Sequence, residues 1–186
     1  MPSTPELGPA LRRFVELFVR WNARINLSAA RTPEEVTLQV VDCLAIERYV
    51  QGRRVVDVGS GGGLPGLVLA IHRPEVEVVS IEPIHKKAAF QSAAVRELGL
   101  ANVRVEARRV DPAVDTGFDT AVSRATFDLL EWLELGRRLV GPEGVVLGME
   151  GREQRDLPEG AERLPYELGD RTRAIIRWRA GPVERP

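Results

Sequence analysis

The stretch Val55-Val56-Asp57-Val58-Gly59-Ser60-Gly61-Gly62-Gly63-Leu64-Pro65-Gly66 constrains this chain more than any other. A short β-branched run that ends in glycines reads as a buried strand and a sharp turn. The apolar segment from Pro65 to His72 behind it reads as a helix. Strand, glycine turn and helix open an α/β unit in which the backbone can approach a ligand closely. The alternation continues with strands at Val76 to Ile81, Asn102 to Val105, Phe118 to Ser123 and Gly144 to Met149. Helices are predicted at Ile84 to Leu98, closed by Gly99, and at Asp128 to Leu139. Leu164 to Leu168 and Ala174 to Trp178, joined through Gly169-Asp170, read as a hairpin. Right-handed βαβ crossovers then give an α/β fold: a Rossmann-like, mostly parallel sheet with helices on both faces and an antiparallel edge hairpin. The tail from Gly181 is expected to fray.

Two helices precede the sheet as an N-terminal extension. Residues 5–22 carry Leu7, Leu11, Phe14, Val15, Phe18 and Trp21 at helical spacing, with Pro5 in the first turn after Ser3 and Thr4 as caps. Arg13, Arg20 and Arg24 fall within about 40° of one another, off the apolar face. They read as a solvated face or as a phosphate-contacting stripe. Thr32-Pro33-Glu34-Glu35 has the form of a capping box and starts a second helix that runs to about Tyr49. With 186 residues the expectation is one domain, residues 1–50 packing on a catalytic core of residues 51–186.

Composition excludes several classes. No run of 18 or more apolar residues exists to span a membrane, and the N-terminus lacks the apolar core of a secretory signal. The lone Cys43 cannot close an internal disulfide, which fits a reducing cytoplasm, and with only His72 and His85 a zinc site of the common kinds is not expected. Cys43 reads as a packed small residue, and His85 as a solvated residue at a helix start. The net charge of −1 argues on average against an obligate basic-patch nucleic-acid binder, yet a neutral sum can hide a local stripe. All but two of the basic residues, Lys86 and Lys87, are arginine, the residue better matched to phosphate geometry.

The turn itself discriminates between cofactors. A dinucleotide fingerprint wants G-x-G-x-x-G, and counting from Gly59 the sixth position is Leu64. A phosphate-binding P-loop wants Gly-Lys-Ser/Thr, and no lysine is present. The glycines instead alternate as Gly59, Gly61 and Gly63, with Asp57 two residues before the first. A carboxylate there repels a pyrophosphate and attracts a cation such as S-adenosylmethionine (AdoMet), which carries an ammonium and a sulfonium. Glu82, at the end of the second strand, is placed to accept from both ribose hydroxyls. Together these residues form a methyltransferase signature. Arg109-Val110-Asp111 occupies the loop where an adenine would lie, with Asp111 as acceptor for its amino group and Val110 as a donor or packing face; a plain surface turn before Pro112 fits equally. Ser123-Arg124-Ala125 follows the fourth strand and would face the transferred methyl group, which makes Arg124 the candidate catalytic residue.

From Trp21-Asn22 to about Gly151 the chain resembles the RsmG (GidB) family of bacterial AdoMet-dependent methyltransferases. The resemblance rests on Trp21-Asn22-x-x-x-Asn26-Leu27, the glycine turn through Gly-Leu-Pro-Gly, Glu82-Pro83-x-x-Lys86-Lys87 with Phe90, Arg109-Val110-Asp111, and Ser123-Arg124-Ala125. It implies a class I methyltransferase sheet, AdoMet as cofactor, and transfer to N7 of a guanine in small-subunit (16S) ribosomal RNA. It also implies that Gly59, Leu64, Val110, Asp111 and Arg124 line the cofactor site. Four positions depart from the family pattern: Gln39 and Cys43 around Asp42, Pro83 after Glu82, and Glu150 where a cation is usual near the RNA-facing rim. The alternatives are a methyltransferase acting on a small molecule or protein, and a non-catalytic AdoMet-binding module. N7 is a free lone pair, so its methylation needs no general base; rate comes from orientation and electrostatic placement. A cytoplasmic monomer that engages ribosomal RNA and no membrane or metal is the resulting expectation.

Overall fold

The alternation read from the sequence becomes one continuous seven-stranded sheet in the computed structural model, which describes residues 6–150, 156–179 and 181. Two helices lead, α1 (Pro9–Ile25) and α2 (Pro33–Leu44), followed by a 3-10 turn at Glu47–Tyr49. The sheet then runs β1 (Arg54–Val58), α3 (Gly66–His72), β2 (Glu77–Ile81), α4 (His85–Leu98), β3 (Val103–Glu106), β4 (Phe118–Arg124), α5 (Leu129–Leu139), β5 (Val140–Met149), β6 (Ala161–Leu168) and β7 (Arg171–Arg179). Spatial order is β3-β2-β1-β4-β5-β7-β6. The first five are mutually parallel, and β7 lies antiparallel between β5 and β6. Strand order reverses between β1 and β4, so the crevice at their carboxyl ends is where a ligand belongs in such a sheet.

The first helix differs from its predicted bounds. It starts at Pro9 with Gly8 as N-cap and runs to Ile25, closing on Asn26 in the left-handed region at φ 56°. Gly8-Pro9 supplies the same start signal as Thr4-Pro5, an extended residue before a first-turn proline; Ser3, Thr4 and Pro5 lie outside the described residues. Thr32 caps α2 as read: Glu35 N donates to its hydroxyl at 3.2 Å, and the Glu35 carboxylate accepts from Thr32 N at 3.3 Å. Gly99 ends α4 at φ 66° as the C′ residue.

Burial is two-sided. One face of the sheet presents Val55, Val78, Val122, Leu147 and Ile175 to Ile46 and to Leu69 and Ala70 of α3. The other presents Val56, Val58, Ala121, Val146 and Ile176 to Trp132 and Leu133 of α5. The leading helices add a third cluster, in which Phe14 and Phe18 pack on Phe90 of α4 and on Leu64 and Leu67. The Phe18 and Phe90 rings meet edge to face at 5.6 Å and 83°, a favourable aromatic geometry. This cluster fixes α1 against the glycine turn, since a Cβ on Gly62 would fall 2.3 Å from the Phe18 ring.

Candidate functional site

The glycine turn is held from below by acids. Asp57 is fully buried, and its Oδ2 accepts from Gly66 N at 2.7 Å, capping α3 from the neighbouring strand. Its other oxygen, Oδ1, is buried with no hydrogen-bond partner. Burial pushes this carboxyl up to about 7, the nearby Glu82 charge adds to that, and the Gly66 amide and Arg124 oppose it. Glu82 is 3% exposed and uses both oxygens on backbone: Gly61 N donates at 2.7 Å and Ile84 N at 2.8 Å. Neither acid has a basic side chain within ion-pair distance among the described residues.

A buried polar network locks the turn to its neighbours. Ser80 of β2 and Ser60 of the turn bring their hydroxyls to 2.6 Å, and Ser80 donates to Gln91 Oε1 at 2.5 Å. Gln91 Nε2 in turn donates to Ser60 Oγ at 2.7 Å and to Gly61 O at 2.8 Å. Sequence reading passed over this triad. Its signal was a serine inside Val78-Val79-Ser80-Ile81 and a glutamine inside an alanine-rich helix, both on otherwise apolar faces.

The glycines divide by what their missing side chains would meet. A Cβ on Gly59 would fall 2.3 Å from Thr126, on Gly63 2.9 Å from Leu67, and on Gly66 2.6 Å from Asp57. Only Gly61, at φ 56°, faces open space among the five glycines of the turn. The space beside Gly59 is filled by Thr126, whose hydroxyl donates to Gly59 O at 2.7 Å. Leu64 likewise directs its side chain into the Phe14, Phe18 and Phe90 core, which leaves its backbone as the part available to a ligand.

The loop after β4 closes the other side of the crevice. Ser123 donates to Val58 O at 2.8 Å, tying β4 to β1 just beyond their last ladder pair, Asp57 with Val122. Arg124 Nε lies 3.4 Å from Asp42 Oδ2. Asp42, 1% exposed on α2, also meets Arg173 of β7 at 3.3 Å and accepts from the Tyr166 hydroxyl of β6 at 2.5 Å. Burial, together with this contact with Asp42, holds the Tyr166 hydroxyl well above its ordinary range. Cys43 beside it is buried, and burial pushes its thiol up to about 12, so it stays a neutral packed group. Glu150 is 3% exposed, and Arg163 clamps it with two contacts of 2.8 Å. The expected negative charge on the rim is thus corrected: Glu150 is turned inward and neutralised.

The remaining predicted residues spread around this centre. Val110 is half-buried against the α5 face of the sheet. Asp111 is exposed, and its Oδ1 accepts from Ala113 N at 3.0 Å in a tight turn. Behind that turn Asp115, missed by sequence reading, accepts from Arg108 at 2.6 and 2.7 Å and from Asp111 N at 2.8 Å. Asp115 is held below the usual carboxylate range, chiefly by Arg108. Arg13 and Arg24 are exposed, while Arg20 bridges α1 to α4 through Glu97 at 3.2 Å.

The donor set fits AdoMet on two observations: an unpartnered buried carboxylate oxygen at Asp57, suited to a cation, and an open face at Gly61 in the glycine turn. The profile of the family described as GidB, rRNA small subunit methyltransferase G, matches residues 8–171. A protein of Burkholderia ambifaria named ribosomal RNA small subunit methyltransferase G is 42% identical over 181 residues, covering 88% of this chain and 79% of its own length. One of the same name from Methylobacillus flagellatus is 40% identical over 149 residues, covering 79% and 73%. Among solved structures, the O-methyltransferase TomG of Streptomyces achromogenes, crystallised with its SAM cofactor, superposes with a TM-score of 0.63 at 17% identity, covering 95% of this chain and 92% of its own. A putative O-methyltransferase from Klebsiella pneumoniae gives 0.61 at 14%, covering 95% and 91%. These last two bear on the fold, that of class I methyltransferases. The chain belongs to the rRNA small subunit methyltransferase G (GidB) family.

Proposed function

We propose that this chain transfers the methyl group of AdoMet to N7 of a guanine in small-subunit ribosomal RNA. The observation that carries the reading is Asp57 Oδ1, a buried carboxylate oxygen without a partner at the switch point of a sheet whose family methylates that RNA. AdoMet supplies an electrophilic methyl on a sulfonium. Asp57 draws the ammonium toward the turn, and Gly61 lets the backbone lie against it. Glu82, which shapes the turn through Gly61 and Ile84, keeps lone pairs for the ribose. Val110 and Asp111 flank the adenine. Arg124, held by Asp42 at the end of β4, orients the acceptor nucleotide.

The acceptor nitrogen carries no proton, so the N–CH3 bond forms as the S–CH3 bond breaks and no base is required. That matches a crevice whose nearest thiol, Cys43, is buried and neutral. A small-molecule or protein acceptor rested on Glu150 and on the neutral net charge, and the pairing of Glu150 with Arg163 weakens the first of these grounds. Arg13, Arg24 and Arg124 are the side chains offered to phosphates. We propose further that the chain works as a single-domain, cytoplasmic monomer. No helix of the described residues is long and apolar enough to cross a membrane.

The test is incubation with labelled AdoMet and small ribosomal subunits that lack the methyl group. Label at guanine N7 is the expected result. Bound AdoMet with unlabelled RNA overturns the proposal.

A further inference from the structure

The loop that carries Arg124 also carries an exposed aromatic ring that the methyl-transfer reading leaves unused. Phe127 is 38% exposed, three residues beyond Arg124. Between them Ala125 sits at φ 54°, a left-handed conformation that a residue with a Cβ seldom adopts, and Thr126 is fastened to Gly59 O and to Arg124 O. The ring is therefore held at a fixed distance from the glycine turn. One face of Phe127 lies nearly parallel to Trp132, with centroids 5.9 Å apart and planes at 18°. Trp132 is in turn anchored: it is 2% exposed, and its Nε1 donates to Leu147 O at 3.0 Å.

Part of this arrangement is structural. Asp128 caps α5, so Phe127 precedes the cap and Trp132 is the fourth helical residue, the two positions of a hydrophobic staple. A staple needs an apolar side chain, however, and does not need a ring. It also leaves the outward face of that ring in solvent, on the loop that carries Arg124. Unpaired bases in RNA are held by aromatic faces and by arginine.

We infer that Phe127, on the loop that Thr126 anchors to the glycine turn, is the stacking platform for the acceptor guanine. This rests on the methyltransferase reading above. The base leaves its RNA stack, lies on Phe127, and presents N7 toward the turn. Trp132 backs the platform, so little conformational freedom is lost when the base lands.

Phe127→Leu and Phe127→Tyr separate stacking from stapling. Leucine keeps an apolar group before the α5 cap and removes the π face; tyrosine keeps both. The measurements are kcat/KM for undermethylated small subunits, AdoMet affinity and thermal midpoint, each against the wild type. Phe127→Leu is expected to lower kcat/KM about 10-fold or more, the usual worth of a base–aromatic stack, with AdoMet affinity and midpoint retained. Phe127→Tyr is expected to stay within about threefold of the wild type. Undiminished transfer by Phe127→Leu overturns the inference, as does a loss that parallels falling AdoMet affinity or midpoint. A wild type that labels no RNA overturns the functional reading and this inference together.

Discussion

Two pairs of buried carboxylates flank the crevice and receive opposite treatment. On the glycine-turn side, Asp57 and Glu82 are held by neutral backbone amides alone, from Gly66, Gly61 and Ile84. On the β5 and β7 side, Asp42 is met by Arg124 and Arg173, and Glu150 by Arg163. Burying a charge is costly unless it is paired, so the first pair leaves charge for something else to neutralise. The second pair is electrically complete. On the proposed function the difference divides the work: the turn takes the cofactor's cation, and the Asp42 cluster is a frame around Arg124.

The largest expected effect breaks the frame. Asp42→Ala leaves Arg124 and Arg173 facing each other and strands the Tyr166 hydroxyl. Removing one partner of a buried pair costs about 3–5 kcal/mol. Denaturant unfolding of wild type and variant at pH 7 should show a loss of that size. A loss below about 1 kcal/mol would place Asp42 with the uncompensated acids instead.

Asp57→Asn gives the contrasting result. The amide oxygen can still accept from Gly66 N, and no buried charge remains to desolvate. Calorimetric titration should show AdoMet binding weakened about 10-fold, near 1.4 kcal/mol, with a thermal midpoint no lower than that of the wild type. Gly61→Ala should have a smaller effect on stability, about 1 kcal/mol from its left-handed backbone. Because its new methyl group enters the open face, AdoMet affinity should drop by more than the fold does. Equal losses in both would mean that Gly61 serves only the turn.

The parts of this picture legible in the sequence were the local ones. The capping box at Thr32, the left-handed Gly99 and the alternation of strands and helices follow from neighbours a few residues apart. So does the placement of Asp57 beneath the glycines. The start of α1 was misplaced because two Xaa-Pro pairs offered the same signal four residues apart. The frame around Asp42 was not legible, because its partners Arg124 and Tyr166 lie 82 and 124 residues away. Glu150 was misread for a different reason: its charge is visible in the sequence, but Arg163, only 13 residues on, reaches it through the pairing of the antiparallel strands. Thr126 fills the space above Gly59 from 67 residues away, so only the fold could show what packs over the first glycine.

The uncompensated charge of Asp57 also sets a pH dependence. Its folded value of about 7 exceeds the ordinary 3.8. Between the two the folded protein keeps a proton that the unfolded chain has released, so this group's contribution to stability falls as pH rises through that window and levels off above it. A cation beside Oδ1 favours the carboxylate, so AdoMet binding below pH 7 expels that proton and tightens as pH rises. Titration of AdoMet into wild type and Asp57→Asn from pH 6 to pH 8 tests this directly. The wild-type affinity should rise several-fold up to about pH 7.5, with proton release at the lower end, while the variant stays weak and nearly flat. Equal affinities, or equal pH slopes in the two proteins, would contradict the claim that the unpaired carboxylate of Asp57 marks the cofactor's cationic end.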